Sequence, residues 1–437
     1  MMVRIFLLSA LTGILSGLAI TLFVLGTEWT TRILFFGHPL ETVAALPLWY
    51  LYLLPLAAIL LVHRLIAMDE SVREYGVREI AEAVAGEKML PTLRSLMLKI
   101  VASVLSLSAG FAVGNEGPSA AIGAMIATRL NRLFTIPARW VRLIISIGAS
   151  SGIAAVFVSP ITGIVFAVEN IAYEFLDRLA GPIVLGSVLA FSVSYLALDP
   201  IVFHYSSGRA FDYGYLLASL GFLPPMLLFL SGYFLLRNHL MPLLERGLQK
   251  LAPRRTPLIL AILGALCVGT LLRFDPLALF SGHEMVLYLI NHQEAFPLQA
   301  LALLALLRIM ATVLSLYAQA VGGLFLPLMS IGALVGYGYG EALHLLGYSV
   351  ESYSFAAVGA AVFMGTVMRL PLTAMTLALE ITYDYNVVVP TALNVVLLSF
   401  ILQQFFDIRK LKAMDPHLHQ NDDPAGASPS NGQKPTP

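Results

Sequence analysis

Apolar stretches recur along almost the whole chain, at 5–25, 95–113, 143–168, 181–198, 213–236, 257–272, 298–318, 355–368 and 387–405. Several match the roughly 20 residues that an α-helix needs to cross a bilayer. In lipid every backbone N–H and C=O must be satisfied within the protein, so repeated stretches of this kind dictate helices. A transmembrane barrel would read instead as alternating segments of about ten residues, and these are absent. Composition agrees: 58% of the 437 residues are hydrophobic and 12% are charged, where a soluble domain carries roughly a quarter charged. The expected class is an all-α, multi-pass integral membrane protein.

The opening segment MMVRIFLLSALTGILSGLAITLFVLGTEW is read as a first membrane helix that is kept, because no short polar cleavage region follows its apolar stretch. One cysteine, Cys267, lies in an apolar helix, which excludes disulfides and thiolate metal sites within one chain. Cations collect in three places: Arg129, Arg132, Arg139 and Arg142; Arg237, Arg246, Lys250, Arg254 and Arg255; and Arg409, Lys410 and Lys412. The loop 281–296 holds acids and histidines only. The positive-inside tendency then puts 237–255 and the C-terminus in the cytoplasm. Residues 413–437 are polar and rich in Pro, Gly and Ser, and read as a disordered tail with no room for a regulatory domain.

Self-comparison uncovers a repeat. Lys99 meets Arg308, Val104-Leu105-Ser106-Leu107 meets Val313-Leu314-Ser315-Leu316, Pro118 meets Pro327, and Ile122-Gly123-Ala124 meets Ile331-Gly332-Ala333, all 209 residues apart. Pro160 with Glu169 meets Pro371 with Glu380 at an offset of 211. Four ordered blocks at nearly constant offset imply two homologous halves, 1–210 and 211–412, joined around an amphipathic basic connector at 237–255. Such halves commonly build a transport site near mid-membrane from broken helices. The Gly-rich interruptions GNEGP and VGGLFLP stand at matched positions, and each opens a helix near a proline. Two helix N-termini converging offer unpaired N–H groups and positive dipole ends, an anion site without a full positive charge. The plainer alternative is that glycine and proline only kink packed helices.

These residues resemble the CLC family of chloride channels and proton-coupled anion exchangers. Gly114-Asn115-Glu116-Gly117-Pro118 is similar to its G-x-E-G-P motif, and Gly322-Gly323-Leu324-Phe325-Leu326-Pro327 to its G-x-F-x-P loop. Lys99, Ser159-Pro160-Ile161-Thr162-Gly163 with Glu169, and Arg369-Leu370-Pro371-Leu372-Thr373 with Glu380 also fit, so the likeness spans about 1–412. It implies an inverted-repeat bundle of tilted and broken helices, a homodimer with one pore per subunit, and a bacterial inner-membrane setting. It makes Glu116 the gating, proton-binding glutamate. It implies anion-binding positions at Tyr75, Gly76, Gly114, Asn115, Gly117, Gly323, Leu324 and Phe325. The physics of such a gate stands by itself: an ionised carboxylate competes with the anion, and protonation lets it leave. On the residues alone, Glu116 is equally a capping or buried structural carboxylate. Lys99 and Arg308 read as structural or field-setting, Glu169 and Glu380 as helix-end structural acids.

Three departures from the family pattern bear on substrate and coupling. The G-S-G-I-P loop aligns with Glu74-Tyr75-Gly76-Val77-Arg78, so Tyr75 replaces the serine that coordinates chloride. The tyrosine expected from the last helix has no counterpart in FFDIRKLKAMD. Asn170 stands where exchangers carry their inner proton-relay glutamate, with Glu174 one turn on. A halide wants convergent donors, whereas bicarbonate is planar and also donates a proton. Bicarbonate is therefore expected ahead of chloride, nitrate or fluoride, with a passive anion channel as the alternative. An enzyme would need a partner nucleophile or metal ligands at the depth of Glu116; no HExxH is present and the histidines lie mostly in loops or near span ends. No cofactor, metal or nucleic-acid partner is expected; anion, protons, bilayer and a second copy are.

Overall fold

The computed structural model describes residues 1–73, 80, 92–170, 180–203, 213–291 and 296–405, with nothing said of the side chains of Asn170 and Asn291. Leaving aside single turns, the described helices are α1 Met2–Leu34, α2 Leu48–Met68, α3 Leu93–Ser108, α4 Glu116–Phe134, α5 Val141–Phe157, α6 Pro160–Asn170, α7 Ala180–Ser194, α8 Tyr213–Gly221, α9 Leu223–Leu235, α10 Met241–Leu251, α11 Thr256–Phe274, α12 His283–Asn291, α13 Leu298–Tyr317, α14 Phe325–Leu345, α15 Ser352–Met368, α16 Pro371–Thr382 and α17 Val388–Phe405. Among the described residues seven helical segments are long and apolar enough to cross a membrane, and no strand is formed. The chain is a multi-pass membrane protein.

Its interior follows membrane rules rather than soluble ones. With lipid as apolar as leucine, helices associate by close backbone approach, which small residues allow. Gly123 of α4 and Gly148 of α5 face one another so closely that a methyl on either would strike the other's backbone. Gly332 of α14 and Gly359 of α15 repeat the contact in the second half. Leucines on α1, α9 and α11 remain exposed, among them Leu22, Leu228 and Leu263, as expected of a surface solvated by hydrocarbon.

The apolar stretch 143–168 is not one helix but two. Val158 takes a left-handed conformation (φ 51) and Pro160 starts α6, so the chain reverses between α5 and α6. In the second half Arg369 (φ 60) and Pro371 make the same corner between α15 and α16. Proline cannot continue a helix but suits the first turn of the next one.

Helices α6 and α16 lie antiparallel, each capped by the other. Glu169, near the end of α6, accepts the N–H groups of Leu372 at 2.9 Å and Thr373 at 2.8 Å and the Thr373 hydroxyl at 2.6 Å. Glu380, near the end of α16, accepts the N–H groups of Ile161 at 3.0 Å and Thr162 at 2.6 Å, the Thr162 hydroxyl at 2.6 Å and the Ser159 hydroxyl. Each carboxylate sits on the positive end of the facing helix and satisfies amides that no intrahelical carbonyl can reach.

Candidate anion site

Two broken segments, 109–115 after α3 and 318–324 after α13, meet in the buried interior. Gly114 N–H donates to the Gly323 carbonyl and Gly323 N–H to the Gly114 carbonyl, both at 2.7 Å. The two glycines thus bind each other through their backbones, 209 positions apart. Further anchoring obeys the same offset. Ser106 of α3 accepts the N–H of Val321 at 3.0 Å, and Ser315 of α13 accepts the N–H of Ala112 at 3.0 Å. Each half therefore fixes the other half's loop with a serine, leaving neither loop amide unpaired in an apolar interior. His63 of α2 adds a bond from Nε2 to the Ala318 carbonyl at 3.1 Å.

The reversals release two helix starts, α4 at Glu116 and α14 at Phe325. Glu116 is 2% exposed, and its side chain turns back so that Oε1 accepts the N–H of Phe325, its own repeat counterpart. The amide of Leu326 faces the same carboxylate. A methyl built on Gly114 would stand 2.7 Å from Oε1 and 2.8 Å from Cδ of Glu116, and one on Gly323 would stand 2.7 Å from Cγ. Absence of a side chain at both positions is what makes room for the carboxylate. Oε2 is buried without a hydrogen-bond partner, as is Oδ1 of Asn115. A carboxylate lacking donors on one oxygen is held less firmly than a fully bonded one.

Of the residues singled out in the sequence, Gly114, Asn115, Glu116, Gly117, Gly323, Leu324 and Phe325 come together here, with Asn115 and Leu324 at the N-caps of α4 and α14. The amides of Gly114 and Gly323 are turned on one another, so those residues shape the cradle with their missing side chains and their pairing. Tyr75 and Gly76 lie outside the described residues. Asn170 ends α6, and its side chain lies outside them too.

Several contributors went unread in the sequence. Phe157 and Phe166 pack against Phe325, with ring centroids 4.2 Å and 6.3 Å away. Ser106 and Ser315 had a signal: a hydroxyl inside an apolar helix at matched positions of both halves. Arg308, which the sequence marks as structural or field-setting, is fully buried. Its guanidinium donates to the carbonyls of Leu277 at 3.0 Å, Leu279 at 2.9 Å and Phe280 at 3.4 Å and to the Ser330 hydroxyl. Among the described residues no group of three or more His, Cys, Asp or Glu side chains is placed to hold a metal ion.

Chemically, the arrangement is a carboxyl group seated where helix dipoles and backbone N–H groups favour negative charge. A small anion and the Glu116 carboxylate would compete for the same amides.

Comparison with known proteins identifies the family. The family model described as "Voltage gated chloride channel" matches residues 54–404. Among curated proteins, the chain is 28% identical over 372 residues to a putative chloride channel protein ClcB-like of Ralstonia nicotianae, covering 80% of this chain and 82% of that one. It is 27% identical over 415 residues to the H(+)/Cl(−) exchange transporter ClcA of Vibrio cholerae, covering 90% and 86%. Its fold matches a slow cyanobacterial Cl−/H+ antiporter with TM-score 0.79 at 20% identity, over 94% of this chain and 99% of that one. A CLC-type fluoride/proton antiporter matches with TM-score 0.71 at 21% identity, over 94% and 98%. The family-model match and the inverted-repeat helical fold identify a channel or transporter rather than an enzyme, and the chain belongs to the voltage-gated chloride channel (CLC) family.

Proposed function

We propose that this protein carries a small inorganic anion across the membrane in exchange with protons, and that Glu116 is its gate. The observation that carries this reading is the seat of the Glu116 carboxylate against Phe325 N–H, between two glycines that leave space for nothing larger. Ionised, the carboxylate fills the anion's place. Protonated, it loses its attraction for the amides and yields to an incoming anion. One titratable group then links anion entry to proton binding. The names of relatives as H(+)/Cl(−) exchange transporters support proton coupling.

The substrate we favour is bicarbonate, ahead of chloride, nitrate and fluoride, because the expected serine is Tyr75 and the expected tyrosine hydroxyl is missing. A passive anion channel is the second reading, and Asn170 at the inner relay position supports it. The protein acts as a homodimer in a bacterial inner membrane. Its two halves are 1–210 and 211–412, with the basic connector and residues 413–437 on the cytoplasmic side.

Purified protein in liposomes decides between these. An anion gradient should drive proton movement, and Glu116→Gln and Glu116→Ala should abolish proton movement while anion flux persists. Anion flux without proton movement in the wild type would establish the channel reading, and chloride moving faster than bicarbonate would remove the substrate assignment.

A further inference from the structure

We infer that Glu380 is a positioning residue for the anion site, holding Phe325 in place through the corner between α5 and α6. This rests on the reading of Glu116 and Phe325 as that site. The Glu380 carboxylate gathers four donors from the first turn of α6 and the residue before it: the amides of Ile161 and Thr162 and the hydroxyls of Thr162 and Ser159. Ser159 directly follows the left-handed Val158, so the carboxylate is tied to the corner itself as well as to α6. Phe157 stands on one side of that corner and Phe166 on α6, and these are the two rings packed on Phe325. The amide of Phe325 is in turn the donor to Glu116.

Packing by itself does not hold Phe157. Its ring borders a cavity of about 160 Å³, whose wall also includes Ser159, Phe191, Met329, Leu377 and Glu380. A loosened corner lets the Phe157 ring shift into that space and change its contact with Phe325. Glutamine at 380 keeps the shape, but its amide nitrogen would face N–H and O–H donors, so at least one oxygen's worth of bonds is lost.

The repeat supplies an internal control. Glu169 caps α16 with the same chemistry, two amides and a threonine hydroxyl. At the matching corner, however, Leu370 replaces Ser159 and Met368 replaces Phe157, so the Glu169 clasp reaches Phe325 only through Phe166 on its own helix, the more distant of the two rings at 6.3 Å. Both clasps join α6 to α16. The Glu380 clasp ends at the corner that bears Phe157, the nearer ring to Phe325 at 4.2 Å.

The experiment measures chloride and nitrate efflux from liposomes at equal pH on both sides. The proteins compared are wild type, Glu380→Gln, Glu169→Gln, Phe157→Leu, the Glu380→Gln/Phe157→Leu double variant, and Glu116→Ala. We expect Glu380→Gln to change the chloride-to-nitrate ratio by about threefold or more, the scale of coupling between residues in contact. Glu169→Gln should shift the ratio clearly less, even where it lowers thermal stability to the same degree, because it acts only through the more distant Phe166 ring. Phe157→Leu should shift the ratio in the same direction, and the double variant no further. An unchanged ratio in Glu380→Gln, equal shifts in Glu380→Gln and Glu169→Gln, or multiplying effects in the double variant would overturn the inference. Should Glu380→Gln fail to fold, an unchanged ratio in Phe157→Leu overturns it equally. Flux unaffected by Glu116→Ala would instead count against the site assignment.

Discussion

Alanine at position 323 should loosen the Glu116 carboxylate without altering its chemistry. Gly323 has an ordinary φ, so alanine adds no backbone strain. Its methyl would nonetheless lie 2.7 Å from Cγ of Glu116, where carbon contacts are comfortable only near about 3.5 Å. Retreat of the side chain by about 1 Å stretches the bond from Phe325 N–H beyond useful length. A hydrogen bond to a charged group contributes about 1.5–3 kcal/mol, so occupancy of the site by the carboxylate should fall by about ten- to a hundredfold. Anion efflux from liposomes across a range of pH is the assay. If Glu116 gates as proposed, wild-type flux should rise as acid neutralises it, and in Gly323→Ala the high-pH limb should rise and the profile flatten. Gly323→Ala/Glu116→Ala should match Glu116→Ala alone, because the methyl acts only through the carboxylate. A wild-type pH profile in Gly323→Ala, or an alanine effect that survives removal of Glu116, refutes the reasoning.

Ser106→Ala and Ser315→Ala each leave one buried loop amide, Val321 or Ala112, without its acceptor. Each should cost about 1–3 kcal/mol of stability, read as similar drops in thermal midpoint in detergent; no drop would mean the loops hold themselves. Arg308→Lys keeps the charge but replaces a guanidinium that serves three carbonyls and a hydroxyl. Three ammonium donors cannot serve four acceptors, so at least one buried group is left unpaired and stability should fall by about 1–3 kcal/mol; an unchanged midpoint would contradict the structural role. Asp69, just beyond α2, accepts hydrogen bonds from the Ser95 hydroxyl at 2.5 Å and from the Ser71 hydroxyl at 2.7 Å, and these, Ser95 foremost, hold its carboxyl below its ordinary value of 3.8. The ionised form is thus favoured in the folded state, so its stabilisation is present above about pH 4 and fades as acid titrates the folded carboxyl. Asp69→Asn should lower the midpoint at pH 7, with the gap to wild type closing below about pH 4; a gap that persists in acid would show that charge is not the cause.

Much of this molecule was legible from residue order. Long apolar stretches identified the solvent, and matched blocks 209 residues apart pointed to the pair of broken helices that meet at the site. Glu116 stood out as a lone carboxylate among glycines and apolar residues. The stretch 143–168 shows the limit of hydropathy: the reversal at Val158 changes direction without changing polarity, so composition is blind to it. Glu169 and Glu380 read as helix-end acids, which they are, yet the sequence did not show that each caps the other's helix. Ser106 illustrates the same gap. Its hydroxyl bonds back to the Ala102 carbonyl, as an isolated helix would allow, and also receives Val321 N–H from the other half.

What the sequence by itself determined are properties local to the chain: an apolar solvent from hydropathy, helix starts from proline, and an internal duplication from identity at constant offset. Tertiary structure decided which donor faces which acceptor. Gly114 and Gly323 could each have offered an amide to an anion, but once the halves pack, those amides pair with each other and Phe325 N–H is left for Glu116. The physical reason is range. Hydropathy and backbone preference act over a few residues, whereas a hydrogen bond in an apolar interior depends on placing atoms from segments 209 residues apart within a few tenths of an ångström.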